Sequence, residues 1–129
     1  MERKQSELSV ITKAKDLCGY IMKITLKSPK QFRFTFISKL HNLALSVVEN
    51  LFRANDVFVQ KGDFKAIQER LDYQRKALTD IKLLAYVSLL ATEQGCLLVK
   101  QYENIAKFSS ECQAMLNGWI TSDRKRFVP

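Results

Sequence analysis

Few residues in this chain have side chains suited to acid–base or metal chemistry. His41 is the only histidine, and it falls near an apolar stripe of a predicted helix, where a lone histidine is usually a structural residue. Di-metal helical bundles use Glu-x-x-His ligands. Glu49 is instead followed three residues later by Phe52. We therefore predict no metal site and no cofactor.

The three cysteines do not form a zinc-binding pattern. Cys18, Cys96 and Cys112 show no C-x-x-C spacing, and the chain has no second histidine. Cys18 and Cys112 lie on or beside apolar stripes, which is typical of small core residues. No glycine-rich phosphate loop follows a strand, so nothing in the sequence supports nucleotide hydrolysis.

A helical-bundle ribonuclease of the HEPN type is an enzymatic alternative. Such enzymes use an arginine, a short spacer and a histidine. Arg33 and His41 are separated by seven residues, which exceeds that spacer, and Phe34 replaces the polar residue that usually follows the arginine. We predict that the protein is not an enzyme, and a ribonuclease centred on His41 is kept as a rival hypothesis.

Basic side chains are the remaining candidates for a binding function. The formal net charge is +8, and residues 1–62 hold 11 Lys/Arg against 5 Asp/Glu. Neutralising phosphates with such residues releases counterions and favours binding of RNA or DNA. The predicted contacts are Lys23, Lys27, Lys30, Arg33, Lys39, Arg53, Arg124, Lys125 and Arg126. Tyr20 is positioned to stack on an unpaired base; a solvated lysine face, without salt-dependent binding, is the alternative.

Apolar residues at helical spacing predict the elements that position these side chains. In the second helix the stripe steps by three and four along the chain, through Ile37, Leu40, Ala44, Val47, Leu51, Ala54 and Phe58. In the first it comprises Val10, Ala14, Leu17, Ile21 and Ile24. In the third it comprises Phe64, Ile67, Leu71, Gln74, Leu78, Ile81, Ala85 and Ser88. Three aromatic residues within positions 32–36 predict an irregular turn near residues 32–35.

We predict helices at residues 7–27, 29–58, 63–94 and 98–122, followed by a frayed basic tail at residues 123–129. Asp63 is the predicted N-cap of the third helix and Gly95 the left-handed residue that ends it. Gly19 and Gly118 indicate close helix approaches. Similar helix lengths and short connections predict a single domain, residues 1–129, that folds as an all-α, antiparallel up-down four-helix bundle.

A second set of apolar residues exceeds what one bundle core needs. These residues are Phe34, Leu45, Val48 and Phe52 on the second helix and Tyr86 and Leu90 on the third. Such surplus apolar surface is typical of a subunit interface, so we expect a homo-oligomer. The rival hypothesis from another class is a protein-interaction scaffold that uses the same six residues and never touches nucleic acid.

The composition of the chain indicates where in the cell the protein is expected. Uncharged runs such as residues 83–92 are far too short to span a membrane, and no apolar leader follows Met1. The cysteine number is odd. We therefore expect a soluble, cytoplasmic protein in a reducing compartment, with no membrane partner.

The run LALSVVENL at residues 43–51 carries a resemblance to a known superfamily. Together with Pro-Lys at 29–30 and Phe-Arg-Phe at 32–34, it resembles the second helix of the four-helix-bundle proteins encoded by ribosomal-RNA intervening sequences. Their relatives include the accessory variability determinant protein (Avd) of diversity-generating retroelements. The helix pattern resembles that superfamily over residues 8–122, and Gly-Trp-Ile at 118–120 is similar to an Avd feature. Phe-Arg-Ala at 52–54 replaces the Ala-Glu-Gly of the intervening-sequence group, which favours the Avd-like branch.

The resemblance implies a homopentameric barrel of bundles with a positively charged surface. Such a barrel binds a reverse transcriptase and the template-repeat RNA or cDNA during mutagenic retrohoming. The leading hypothesis is therefore a non-enzymatic, RNA- or DNA-binding accessory protein that partners a reverse transcriptase. A ribosomal-RNA intervening-sequence protein of unknown role is the alternative within the same superfamily.

Overall fold

The computed structural model describes the backbone of residues 2–128 and the side chains of residues 9–128. It contains four long helices, α1 (Glu2–Thr25), α2 (Ser38–Asp56), α3 (Phe64–Glu93) and α4 (Val99–Phe127). Each helix packs against the next along the chain, and α1 also packs against α4. This arrangement confirms the predicted all-α four-helix bundle. Within residues 2–128, no helix has both the length and the apolar character that crossing a membrane requires.

All four helices contribute to the core, and the predicted stripes of α1 and α2 supply their share of it. All five predicted core residues of α1 are buried, and so are Leu40, Ala44, Val47, Leu51 and Ala54 of α2. Ile37 is half-buried beside this core. Phe58, which was assigned to the same stripe, is 80% exposed because α2 ends at Asp56.

Of the two rows of residues that were predicted to be buried on α3, only one is buried in the structure. Gln74, Ile81 and Ser88 are buried as expected, whereas Phe64 is 65% exposed. The other buried edge is formed by Arg70, Ala77, Leu84 and Ala91. Residues 71 and 78 were included in the predicted stripe because they are apolar, and Arg70 was left out because it is charged. The charge of Arg70 is neutralised by a partner that only the fold brings close.

An irregular connection joins α1 to α2, at the start of the helix predicted for residues 29–58. A 3₁₀ turn (Lys30–Phe32) runs into a π-helical turn (Arg33–Ile37) before α2 begins. The rings of Phe32 and Phe36 pack together with their centroids 6.0 Å apart and contact the core. The expected irregular turn at residues 32–35 is therefore confirmed.

The ends of α3 and α4 test the remaining local predictions. The Asp63 side chain accepts a hydrogen bond from the Ala66 amide at 3.1 Å, and Gly95 has φ +87°, so both capping predictions are confirmed. The predicted frayed tail is wrong, because α4 continues through Phe127. The predicted close approaches are also wrong, since a Cβ at Gly19 or Gly118 would meet no atom within 4 Å.

Candidate nucleic-acid interface

Positive charge is concentrated at the end of the bundle where α1 connects to α2. We call this surface the basic end, and it consists of Lys23, Lys27, Lys30, Arg33 and Lys39, all exposed. Residues 17–48 contain no aspartate or glutamate. None of the five cations forms a salt bridge within the described part of the chain. Their full charge is therefore available to a polyanion.

The acid-free segment is a signal that the analysis of the sequence missed. The predicted basic excess was assigned to residues 1–62 as a whole, a range that includes acidic residues on both sides of the acid-free segment. The antiparallel topology also brings the α3–α4 connection to the same end. That connection contributes Glu93 and Lys100, one charge of each sign, so the neighbouring loop does not cancel the charge of the basic end.

The nine predicted nucleic-acid contacts divide between the two ends of the bundle. Arg53, Arg124, Lys125 and Arg126 lie at the end opposite the basic end. Arg53 lies fourteen positions after Lys39 along α2, which is a rise of about 21 Å. The cations therefore form two separate groups. Arg126 is in addition half-buried in a salt bridge to Asp123, with N–O distance 2.9 Å.

Tyr20, the residue expected to stack on a base, is engaged inside the protein. Its hydroxyl accepts a hydrogen bond from Asn104 at 2.8 Å, and its ring lies 5.6 Å from that of Phe108 on α4. Lys13 follows the same stripe and lies 3.5 Å from Glu111 and 5.5 Å from the Phe108 ring centroid. Both side chains fasten α1 to α4, so neither belongs to the basic end.

His41 is held in a structural hydrogen bond between α1 and α2. Its Nε2 lies 2.8 Å from the Thr25 hydroxyl, which is also 2.8 Å from the Ile21 carbonyl oxygen. The tautomer of His41 sets which of the two groups donates in this contact. The arrangement supports the structural interpretation of the lone histidine.

Two polar clusters join α3 to its neighbours. Asp80 of α3 accepts hydrogen bonds from Ser46 at 2.6 Å and from Asn50 at 3.3 Å, both on α2. At the far end of α3, buried Arg70 and Gln74 donate to Asp123 of α4, each with a shortest distance of 2.8 Å. Within the described residues, no group of three or more His, Cys, Asp or Glu side chains is arranged to hold a metal ion.

The cysteine thiols are protected by burial. Burial raises the pKa of Cys18 and of Cys96, and it raises the pKa of Cys112 to about 11 despite the opposing charge of Lys13. A raised pKa keeps the thiol protonated and lowers its nucleophilicity at neutral pH. The cysteines therefore behave as small apolar core residues.

The six predicted interface residues lie on three parts of the surface. Leu45, Val48 and Phe52 follow His41 at helical spacing, so they share one face of α2. Phe34 stands at the basic end, while Tyr86 and Leu90 lie on α3. The exposed fractions are 88% for Phe34, 64% for Phe52, 60% for Tyr86 and 43% for Leu45. Val48 and Leu90 are half-buried.

The fold is similar to that of a solved protein. The crystal structure of a protein of unknown function from the S23 ribosomal protein family of Bacteroides thetaiotaomicron VPI-5482 superposes with a TM-score of 0.76. The match covers 90% of this chain and 98% of that chain at 17% sequence identity, so the likeness shows the fold alone. No family model matches the sequence, and no curated protein matches it.

Proposed function

We propose that the protein is a non-enzymatic nucleic-acid-binding factor whose phosphate-binding surface is the basic end. The observation that carries this proposal is the set of five exposed cations on a segment, residues 17–48, without a single carboxylate. Lysines offer compact, mobile charges, and the guanidinium of Arg33 offers a planar fork that matches phosphate oxygens. Such a surface attracts any phosphate backbone and loses its attraction as salt rises.

The partners come from the resemblance of residues 43–51 to the second helix of the Avd-like superfamily. We propose that the protein belongs to the Avd-like branch and acts in the cytoplasm as an accessory protein of a diversity-generating retroelement. There it would hold template RNA or cDNA for a reverse transcriptase. The similar crystal structure supports the fold, and its family name refers to a ribosomal protein, although its own function is unknown.

Self-association is the second part of the proposal. Leu45 and Phe52 lie seven residues apart on one stripe of α2, and both are exposed. Burying this stripe against another copy removes apolar surface from water and repeats the basic end around the assembly. The superfamily resemblance implies five copies. Light scattering should report a multiple of the 14.9 kDa chain, and a lone chain would contradict this part.

The same exposed apolar residues support a second candidate function, a scaffold that binds a protein partner without nucleic acid. The two functions differ in which side chains matter. Nucleic-acid binding requires the cations of the basic end, whereas the scaffold requires Leu45 and Phe52. Substituting each group separately and measuring RNA binding and self-association distinguishes them.

A charge-reversal experiment tests the proposed site. The variant K27E/K30E/R33E changes three exposed side chains outside the core, so its helical circular dichroism should match the parent protein. We expect its affinity for a structured RNA, measured by fluorescence anisotropy, to fall by more than about tenfold. The matched control R53E/R124E/K125E makes the same charge change at the opposite end and should bind nearly as well as the parent. Equal losses in both variants would show a general charge effect and refute a local site.

A further inference from the structure

Phe34 is the most exposed large apolar side chain at the basic end. It is 88% exposed, and it directly follows Arg33, which is also exposed, in the π-helical turn. We propose that Phe34 stacks on an unpaired base, so that the ligand of the basic end is single-stranded or looped nucleic acid instead of a continuous duplex. This inference rests on the proposed function and adds to it the class of ligand.

The connection between α1 and α2 fixes the direction in which Phe34 points. Phe32 and Phe36 turn inward, where their rings contact each other and the core cluster that includes Leu40. Phe34 lies midway between them in a helical turn, so its side chain leaves the opposite face. The backbone is held by its two aromatic neighbours, and only the two side-chain torsions of Phe34 remain to be ordered on binding.

The charges around Phe34 favour a nucleic acid as the occupant of its exposed face. Lys30 and Arg33 flank it in the same short connection, and residues 17–48 offer no carboxylate to repel phosphates. An aromatic ring among cations is the combination that binds single strands, because the ring takes a base while the cations hold the adjacent phosphates. A second copy of this chain would instead bring its own five cations against these five, which is unfavourable.

Base pairing decides which nucleic acids present a free base face. In a duplex both faces of each internal base are covered by stacked neighbours, so an aromatic side chain cannot reach them. Loops, bulges and single strands leave bases that splay onto aromatic rings. Stacking of this kind tolerates any base, so we expect a preference for unpaired nucleotides without strong sequence specificity.

Phe34→Ala tests the inference directly. Affinity is measured by fluorescence anisotropy for a stem-loop RNA and for a duplex RNA with the same number of phosphates. We expect the substitution to weaken stem-loop binding by about 5- to 150-fold and to leave duplex binding unchanged. Phe34→Trp should retain the preference, and Phe34→Leu, which keeps apolar surface without an aromatic face, should lose it. DNA versions of both ligands show whether the ribose hydroxyl contributes.

The matched control is Phe58→Ala, which removes a phenylalanine that is 80% exposed, just beyond the end of α2 and at the opposite end of the bundle. It should leave the stem-loop preference intact. Equal binding of stem-loop and duplex by the parent, or unchanged stem-loop binding by Phe34→Ala, would overturn the inference. If K27E/K30E/R33E still loses binding in that case, the proposed function stands without the base contact. If Phe34→Ala instead dissociates an oligomer and leaves RNA affinity unchanged, a second copy occupies this face and the inference is refuted.

Discussion

The buried ion pair between α3 and α4 gives the sharpest stability prediction. The Asp123 carboxylate accepts hydrogen bonds from Arg70 at 2.8 and 3.2 Å, from Gln74 at 2.8 Å and from Arg126 at 2.9 Å. Arg70 is only 6% exposed and also lies over the Trp119 ring at 5.0 Å. Asp123→Asn keeps the shape of the side chain but removes the charge that compensates the buried guanidinium.

The expected size of the effect follows from what each substitution leaves behind. Breaking a buried pair by removing one partner typically costs about 3–5 kcal/mol, and Asp123 serves three donor residues at once. We therefore expect Asp123→Asn to lower the free energy of unfolding by about 3–5 kcal/mol. Arg70→Met should cost less, about 1–3 kcal/mol, because the carboxylate keeps Gln74 and Arg126 as partners.

Urea denaturation followed by circular dichroism measures both variants, and hydrogen exchange provides a local readout. Amide protons in the last turn of α4 should exchange faster in Asp123→Asn, because the hydrogen bonds to Asp123 hold that turn in place. This is the turn that we predicted to be frayed from the sequence. A loss below about 1 kcal/mol, the value of an ordinary hydrogen bond, would refute the assignment of this cluster as the tie between α3 and α4. Equal losses of unfolding free energy in Asp123→Asn and Arg70→Met would refute the expectation that Asp123→Asn costs more.

Three further predictions concern local chemistry. Gly19→Ala and Gly118→Ala should each raise the free energy of unfolding by up to about 1 kcal/mol in thermal or urea denaturation, because an added Cβ meets no atom within 4 Å; Gly95→Ala, at φ +87°, should lower it by about 1 kcal/mol. Burial raises the pKa of Cys112 from 9.0 to about 11, so the contribution of this shift to stability is complete below pH 9 and is lost as pH rises toward 11. Cys112→Ala should therefore flatten the pH dependence of the free energy of unfolding between pH 9 and 11. An unchanged pH dependence would contradict the raised pKa. His41→Ala should lower stability by about 1 kcal/mol and leave RNA binding unaltered, whereas loss of an RNA-cleaving activity would support the ribonuclease hypothesis.

Local patterns were sufficient to predict most of the fold. The stripes of α1 and α2, the N-cap at Asp63 and the left-handed Gly95 depend on residues close together in the sequence, and the structure contains them with the exception of Phe58 in the α2 stripe. The irregular turn near Phe32 was also foreseen, because its aromatic residues leave the helical stripe. These features follow from periodicity and from the backbone preferences of particular residue types.

The failures involve partners that are distant in the sequence. Arg70 was left out of the predicted buried stripe of α3 because it is charged, but the partner that allows its burial, Asp123, lies 53 residues away. The same network extends α4 beyond the expected end. Tyr20 was expected to be available for stacking, but Asn104, 84 residues away, binds its hydroxyl. Burial of polar groups depends on such pairings, which single-helix patterns do not reveal.

The candidate site, too, was predictable from the sequence only in part. The excess of basic residues in the first half of the chain was readable from the sequence, and so was the presence of an aromatic residue beside Arg33. The separation of Lys39 from Arg53 by about 21 Å and the position of Phe34 among the cations of the basic end required the bundle geometry. The structure thus divides a list of nine cations into two groups, of which one carries the proposal.

The dependence of RNA affinity on salt tests the central claim most directly. If the five cations of the basic end each neutralise one phosphate of a single strand, the logarithm of the association constant should fall against the logarithm of salt concentration with a slope of roughly −3 to −4. Reversing Lys27, Lys30 and Arg33 should bring that slope close to zero, while the control triple at the opposite end preserves it. A slope near zero for the parent protein, or one that the reversal at the basic end leaves unchanged, would contradict nucleic-acid binding at this surface.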